Sequence, residues 1–347
     1  MLIDEILNKL FSKHSLEIEE YEYLIEKRSD ALFKKLAEKA IELRKKIYSN
    51  KVYIRGLIEI SNICKNDCFY CGIRKGNKNA QRYRLSEQQI FECAEIGYSE
   101  GFRTFVLQGG EDAALTDDFL SSVIIKIKSK FPDCAITLSV GERTCESYNA
   151  LKKAGADRYL LRHETADCTH YAMLHPQSMS YQNRMKCLEY LRKSGYSVGC
   201  GFMVGSPYQT TANIAKDLKF TEEFSPDMCG IGPFIPHNDT PFKDFESGSV
   251  SLTLFLLSVI RIIKPNILLP ATTALATAEN DGTEAGILAG ANVIMPNLSP
   301  IDARKKYSLY NGKLFEGAQS AENLEELKEK MKKIGYEIVC DRGDIIK

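Results

Sequence analysis

The sequence predicts an α/β fold, a complete (β/α)8 TIM-type barrel preceded by a helical lead-in and followed by a short extension. Eight short apolar runs alternate with segments of helical length, and several runs are continuously apolar, as strands covered on both faces are. The eight units fill about 250 residues, the usual size of such a barrel. An open doubly wound sheet would show the same alternation, so the pattern favours the barrel without excluding the sheet.

Residues 1–48 read as charged amphipathic helices, with Leu24, Phe33, Leu36, Ala40, Ile41 and Leu43 recurring at helical spacing. The strands follow as Val52–Ile60, Thr104–Gln108, Ala135–Val140, Arg158–Arg162, Val198–Val204, Met228–Gly232, Ile267–Ala271 and Asn292–Met295. Between them lie helices over Ser86–Glu100, Thr116–Lys130, Glu142–Ala154, Met179–Ser194, Thr211–Phe224, Leu252–Ile263 and Ala278–Ala289. Gly-Ala-Asp at 155–157 and Gly-Ala-Asn at 290–292 fall at helix-to-strand turns, where glycine supplies the left-handed residue that ends a helix. No linker or low-complexity tract divides the chain. The expected organisation is therefore a lead-in over 1–48, a barrel over 49–300 and an extension over 301–347 that closes the barrel.

Composition narrows the function. Lys and Arg number 46 and Asp and Glu 46 in 347 residues, a net charge of zero, and no basic block tracks a phosphate backbone, so nucleic acid is not an expected partner. Met1–Lys13 mixes charges among its apolar residues, unlike a signal peptide, and the run Leu252–Ile263 is too short to span a bilayer. A soluble cytoplasmic protein with no membrane partner is expected. Its eleven cysteines then read as reduced thiols and metal ligands rather than a disulfide framework.

Three of those thiols, Cys64, Cys68 and Cys71, fall within eight residues just beyond the first strand, at the end of a barrel where active sites form. Three close thiolates suit a 4Fe-4S cluster, which normally takes four cysteine ligands. The iron left open can bind a small chelator, and the amino and carboxylate groups of S-adenosylmethionine (SAM) are the expected ones. A zinc knot completed by Cys93 or a distant histidine is the structural alternative. Zinc sites usually show a second ligand pair, and the sequence has no second C-x2-C or H-x3-H.

Other strand ends add to the same rim. Tyr70 precedes the last cysteine and could flank an adenine, or be a plain surface tyrosine. Gly109, Gly110 and Glu111 follow the second strand, where glycines let backbone approach a ligand and a carboxylate can accept from an ammonium. Strand alternation sets Arg158, Arg162 and Glu164 on one side of the fourth strand, to pair with one another or bind ligand. His163 faces the other way as a packed or capping residue. Cys134, Cys200 and Cys229 read as small core hydrophobes in strands, and Cys187 lies in a helix.

The run from Gly56 to Asp112, followed in order by Leu160–Ala166, Gly230–His237, Pro270–Ala274 and Gly290–Asn297, resembles the HydE family of FeFe-hydrogenase maturases, biotin-synthase-like radical SAM enzymes. The likeness spans residues of about 50 to 312. It implies a complete barrel, one 4Fe-4S cluster on Cys64, Cys68 and Cys71, and SAM contacts from Glu164 and Arg184. It implies a substrate cavity of Arg158, Arg162, Met228, Thr272, Thr273, Met295, Tyr307 and Tyr310. The implied activity is reductive cleavage of SAM to a 5′-deoxyadenosyl radical during assembly of the hydrogenase di-iron subcluster. The radical would act on an organometallic iron–cysteine substrate supplied by HydG, with product passing to HydF, and a flavodoxin or ferredoxin would supply electrons. Some family members carry a second cluster on three C-terminal cysteines, whereas residues 298–347 here contain only Cys340, so one cluster is expected. The rival readings are a biotin synthase or methylornithine synthase type of enzyme working on another small substrate, and a structural zinc protein.

Overall fold

A computed structural model describes residues 2–314 and 321–347. Three helices, α1 (Ile3–Lys13), α2 (Ile18–Glu26) and α3 (Asp30–Tyr48), lead in. They are followed by β1 (Lys51–Ile54), β2 (Gly56–Ser61), α4 (Glu87–Ser99), β3 (Thr104–Gly109), α5 (Asp117–Lys130), β4 (Ala135–Ser139), α6 (Cys145–Ala154) and β5 (Arg158–Leu160). Next come α7 (Cys168–Leu174), α8 (Tyr181–Lys193), β6 (Ser197–Cys200), β7 (Met203–Val204), α9 (Thr211–Phe224), β8 (Met228–Cys229), β9 (Gly232–Pro233) and α10 (Val250–Ile263). The described chain ends with α11 (Thr273–Ala278), α12 (Gly282–Leu288), β10 (Val293–Ile294), α13 (Ile301–Lys306), α14 (Leu324–Lys333) and β11 (Glu337–Val339).

Six parallel strands run in the order β2-β3-β4-β5-β6-β8. Parallel bridges Met228↔Leu268, Pro270↔Val293 and Leu57↔Asn297 carry the pairing around to β2, which closes the barrel. Closure leaves the barrel without an open edge. Seven of the described helices start at a Ser or Thr, namely Ser29, Ser86, Thr116, Thr144, Ser180, Thr210 and Ser249, whose side chain accepts the N–H three residues on. Gly155 (φ +115°) and Gly290 (φ +110°) take the left-handed conformation expected at helix ends.

The structure departs from the sequence pattern in several places, among them the seventh run, which pairs only through the isolated bridges at Leu268 and Pro270. The first run is two strands broken at Arg55: β1 pairs with β10, the strand through which the barrel closes, and with β11, while β2 pairs with β3. The fifth and sixth runs break at Gly201 and Gly230, which face each other so closely that a Cβ on Gly201 would stand 2.0 Å from the Gly230 carbonyl oxygen. The predicted helix over 278–289 is shortened to α12, which a turn separates from α11 and in which a Cβ on Gly282 would meet the Leu275 carbonyl oxygen at 2.2 Å. Among the described residues no helix is long and apolar enough to cross a membrane.

Candidate active site

The three clustered cysteines sit on a loop that leaves β2 at Ser61 and returns to it through an antiparallel bridge between Ser61 and Arg84. Arg82 holds the loop together, its guanidinium donating to the carbonyls of Asn62, Ile73, Arg74 and Asn77. Arg84 makes a two-pronged pair with Asp112 at 2.7 and 2.8 Å, and the Ser61 hydroxyl donates to the same carboxylate at 2.7 Å. This staples the loop to the exit of β3. A Cβ on Gly110 would stand 2.3 Å from the Ile63 carbonyl oxygen and 2.7 Å from Cys64 Cβ, so glycine is what lets the two exits touch.

Cys64, Cys68 and Cys71 are half-buried and face one cavity of about 310 Å³ at the C-terminal mouth of the barrel. The Glu111 N–H donates to Cys64 Sγ at 3.4 Å. Burial pushes all three thiols up, Cys71 to about 12, so taking up metal there must release protons. Among the described residues no three His, Cys, Asp or Glu side chains gather around a single ion. Three thiols spread over a cavity wall, with a backbone N–H aimed at one sulfur, fit a cluster larger than an ion.

The residues expected around SAM line this cavity: Tyr70, Gly109, Gly110, Glu111, Glu164 and Arg184. The Tyr70 hydroxyl lies 3.1 Å from His175 Nε2, and His175 Nδ1 lies 3.0 Å from the Tyr171 carbonyl, which fixes a neutral imidazole that accepts from Tyr70. The Glu111 carboxylate accepts the Glu142 N–H at 3.0 Å and pairs with Lys65 at 3.1 Å. Arg184 donates to Glu142 and to the Arg162 carbonyl, both at 2.6 Å. Glu164 takes a left-handed backbone (φ +67°), and its buried Oε2 has no hydrogen-bond partner among the described residues. Arg162 Nη2 lies 3.4 Å from that oxygen, a charge contact without hydrogen-bond geometry.

On the substrate side Arg162, Thr272, Tyr307 and Tyr310 reach the cavity, whereas Arg158, Met228, Thr273 and Met295 do not line it. Alternation placed Arg158 and Arg162 on one side but not at one depth. At about 3.3 Å per residue the two are some 13 Å apart along the strand. Arg158 is 1% exposed at the barrel floor, bonded to Thr104, the Arg342 carbonyl and Asp344. Met228 belongs to a small core with Tyr48, Tyr53, Leu268 and Val293, with Met295 packed against it. Thr273 opens α11, and its neighbour Thr272 sends its hydroxyl to the Ile231 carbonyl at 3.2 Å.

Sequence reasoning missed several residues. Gln108 reaches Tyr307 Oη at 3.4 Å, and Glu142 anchors Arg184. Buried Arg55 donates to Met228 Sδ at 2.8 Å and keeps Nε and Nη2 without partners among the described residues. Arg55 had a signal, a lone cation in an apolar run. The others make contacts 42 or more residues apart, which no local pattern encodes.

Comparison with known proteins agrees with this geometry. The profile of the Radical SAM superfamily matches residues 58–221. The barrel resembles the crystal structure of methylornithine synthase (PylB), with a TM-score of 0.84 at 23% identity over 96% of this chain and 97% of that one. The fold and the thiol-lined mouth define a radical SAM enzyme that uses a 4Fe-4S cluster and SAM. The [FeFe] hydrogenase maturase subunit HydE of Thermotoga maritima is 46% identical over 82% of this chain and 80% of its own length. A 3-methylornithine synthase of Methanosarcina acetivorans is 26% identical over 88% and 87%. The chain belongs to the HydE family.

Proposed function

We propose that this chain works in assembly of the FeFe-hydrogenase di-iron subcluster, acting on a cysteine-bearing iron carbonyl–cyanide precursor. One cluster would be held by Cys64, Cys68 and Cys71, and when bound it supplies the electron that splits a C–S bond of SAM to a 5′-deoxyadenosyl radical. The observation that carries the reading is the cavity in which those thiols share a wall with Arg162, Thr272, Tyr307 and Tyr310. Glu164 and Arg184 would orient SAM's charged groups, since ionised partners make the stronger hydrogen bonds. Arg162, with Nε and Nη2 open, would donate to the precursor's polar ligands, and the Thr272 hydroxyl, whose proton goes to the Ile231 carbonyl, would offer its oxygen as an acceptor. The tyrosines would shield the reaction from water.

HydG as supplier, HydF as receiver and a flavodoxin or ferredoxin as reductant complete the proposal, with residues 49–300 as the barrel and the extension over 301–347 closing it and lending Tyr307 and Tyr310 to the cavity. The cytoplasm, whose redox poise keeps thiols reduced, is the proposed compartment. Residues 298–347 offer only Cys340, so iron analysis should give about four irons per chain, the content of one 4Fe-4S cluster, rather than about eight. The deciding experiment is anaerobic turnover with a cysteine-ligated iron carbonyl–cyanide complex, following 5′-deoxyadenosine and adenosyl adducts. Formation of both supports the reading. No response to the complex, with full response to an amino acid, would move the chain to the methylornithine synthase type.

A further inference from the structure

Glu164 is held by a closed circuit of contacts that reaches a second, fully buried carboxylate. Its N–H donates to the Gly201 carbonyl at 3.0 Å, and the Gly201 N–H donates to His163 Nδ1 at 3.3 Å. With Nδ1 accepting, the ring proton of neutral His163 belongs on Nε2. That nitrogen faces Asp217 Oδ1 at 3.4 Å. The same oxygen accepts the Ala166 N–H at 2.5 Å. Asp217 comes from α9 and is 0% exposed, and no lysine or arginine pairs with it among the described residues. It therefore touches the chain on both sides of Glu164, by a hydrogen bond from the backbone of residue 166 and by a close contact, without hydrogen-bond geometry, to the ring of residue 163.

A buried carboxylate without a cation costs a fold free energy unless it is hydrogen-bonded. An ordinary helix position facing a barrel would carry an apolar residue, as Ile214 and Leu218 do on the same helix. Glu164 meanwhile sits at φ +67°, a conformation that a non-glycine residue keeps only when its surroundings enforce it. The carboxylate so presented is 7% exposed, with Oε2 left open toward the cavity. We propose that Asp217, together with His163, is the positioning residue that enforces the left-handed backbone of Glu164 and so aims its carboxylate at SAM. This rests on the reading of Glu164 as a SAM contact.

The test is SAM affinity, measured by anaerobic equilibrium dialysis on cluster-loaded protein, with iron content and thermal melting recorded for each variant. Glu164→Gln should weaken SAM roughly tenfold or more, the range of a lost hydrogen bond to a charged group. Asp217→Leu should weaken it to a similar degree, while Asp217→Asn, which keeps an acceptor for the Ala166 N–H, should stay within about threefold of wild type. In the Glu164→Gln background Asp217→Leu should add less than about twofold, because residues acting through one another are not additive. If Asp217→Leu does not fold, His163→Phe carries the same comparison. Wild-type affinity in the foldable variant, or an equal loss in both backgrounds, overturns the clamp. An unchanged affinity in Glu164→Gln instead refutes the reading of Glu164, and this proposal with it.

Discussion

At the mouth of the barrel buried ionisable groups are left short of partners, while at the floor most are supplied with them. The mouth holds three thiols, the open Oε2 of Glu164 and the open Nε and Nη2 of Arg162. At the floor Arg158 meets Thr104, the Arg342 carbonyl and Asp344, and Arg342 pairs in turn with Asp157 and Asp344. Arg342 and Asp344 follow β11, which pairs with β1, so the C-terminal extension plugs the floor. Arg158 and Arg162 are four residues apart and chemically identical. What separates a site from a strut is whether the fold provides the counter-charge.

The largest effect that would sharpen the contrast is Arg184→Leu. It should weaken SAM binding by roughly 10- to 100-fold, as expected for lost charge-assisted hydrogen bonds, with a lesser fall in melting temperature as Glu142 and the Arg162 carbonyl lose their buried donor. Wild-type SAM affinity in that variant would remove Arg184 from the mouth's machinery. Arg158→Met should do the reverse. Asp344 is half-exposed, so solvent discounts the ion pair, and a stability loss of about 1–3 kcal/mol in urea unfolding is expected. SAM affinity should stay within about twofold. A variant stable as wild type but weak for SAM would place Arg158 in the ligand site after all.

The smallest effect concerns acid. Burial pushes His175, the partner of Tyr70, down to about 3, below an unfolded value of about 6.5. The unfolded chain therefore binds the extra proton first, and stability falls as pH drops from about 6.5 toward 3, approaching about 1.4 kcal/mol per pH unit. The stability gap between wild type and His175→Phe should shrink by roughly 1.5 kcal/mol between pH 6.5 and 5. A gap that does not change with pH would mean that His175 is charged or exposed.

The barrel was legible because buried parallel strands write continuous apolar runs, as in Phe105-Val106-Leu107, and because Ser and Thr caps mark where helices begin. The thiol triplet was legible because its ligands are local in sequence. Arg158 was misplaced because alternation reports a side and not a depth. The breaks at Arg55, Gly201 and Gly230 depend on strands far away in the chain. Asp217 works through such long-range contacts, and nothing in its neighbourhood distinguishes it from a surface acid.

The central claim is that the unpartnered mouth, through Cys64, Cys68 and Cys71, is where SAM is reductively cleaved. Its most direct test is the yield of 5′-deoxyadenosine after anaerobic reconstitution, reduction with dithionite and addition of SAM. Wild type and Cys200→Ala, whose thiol is a buried core residue, should both form it, and the variant with all three mouth cysteines changed to alanine should form none above background. Cleavage by the triple-alanine variant would contradict the account.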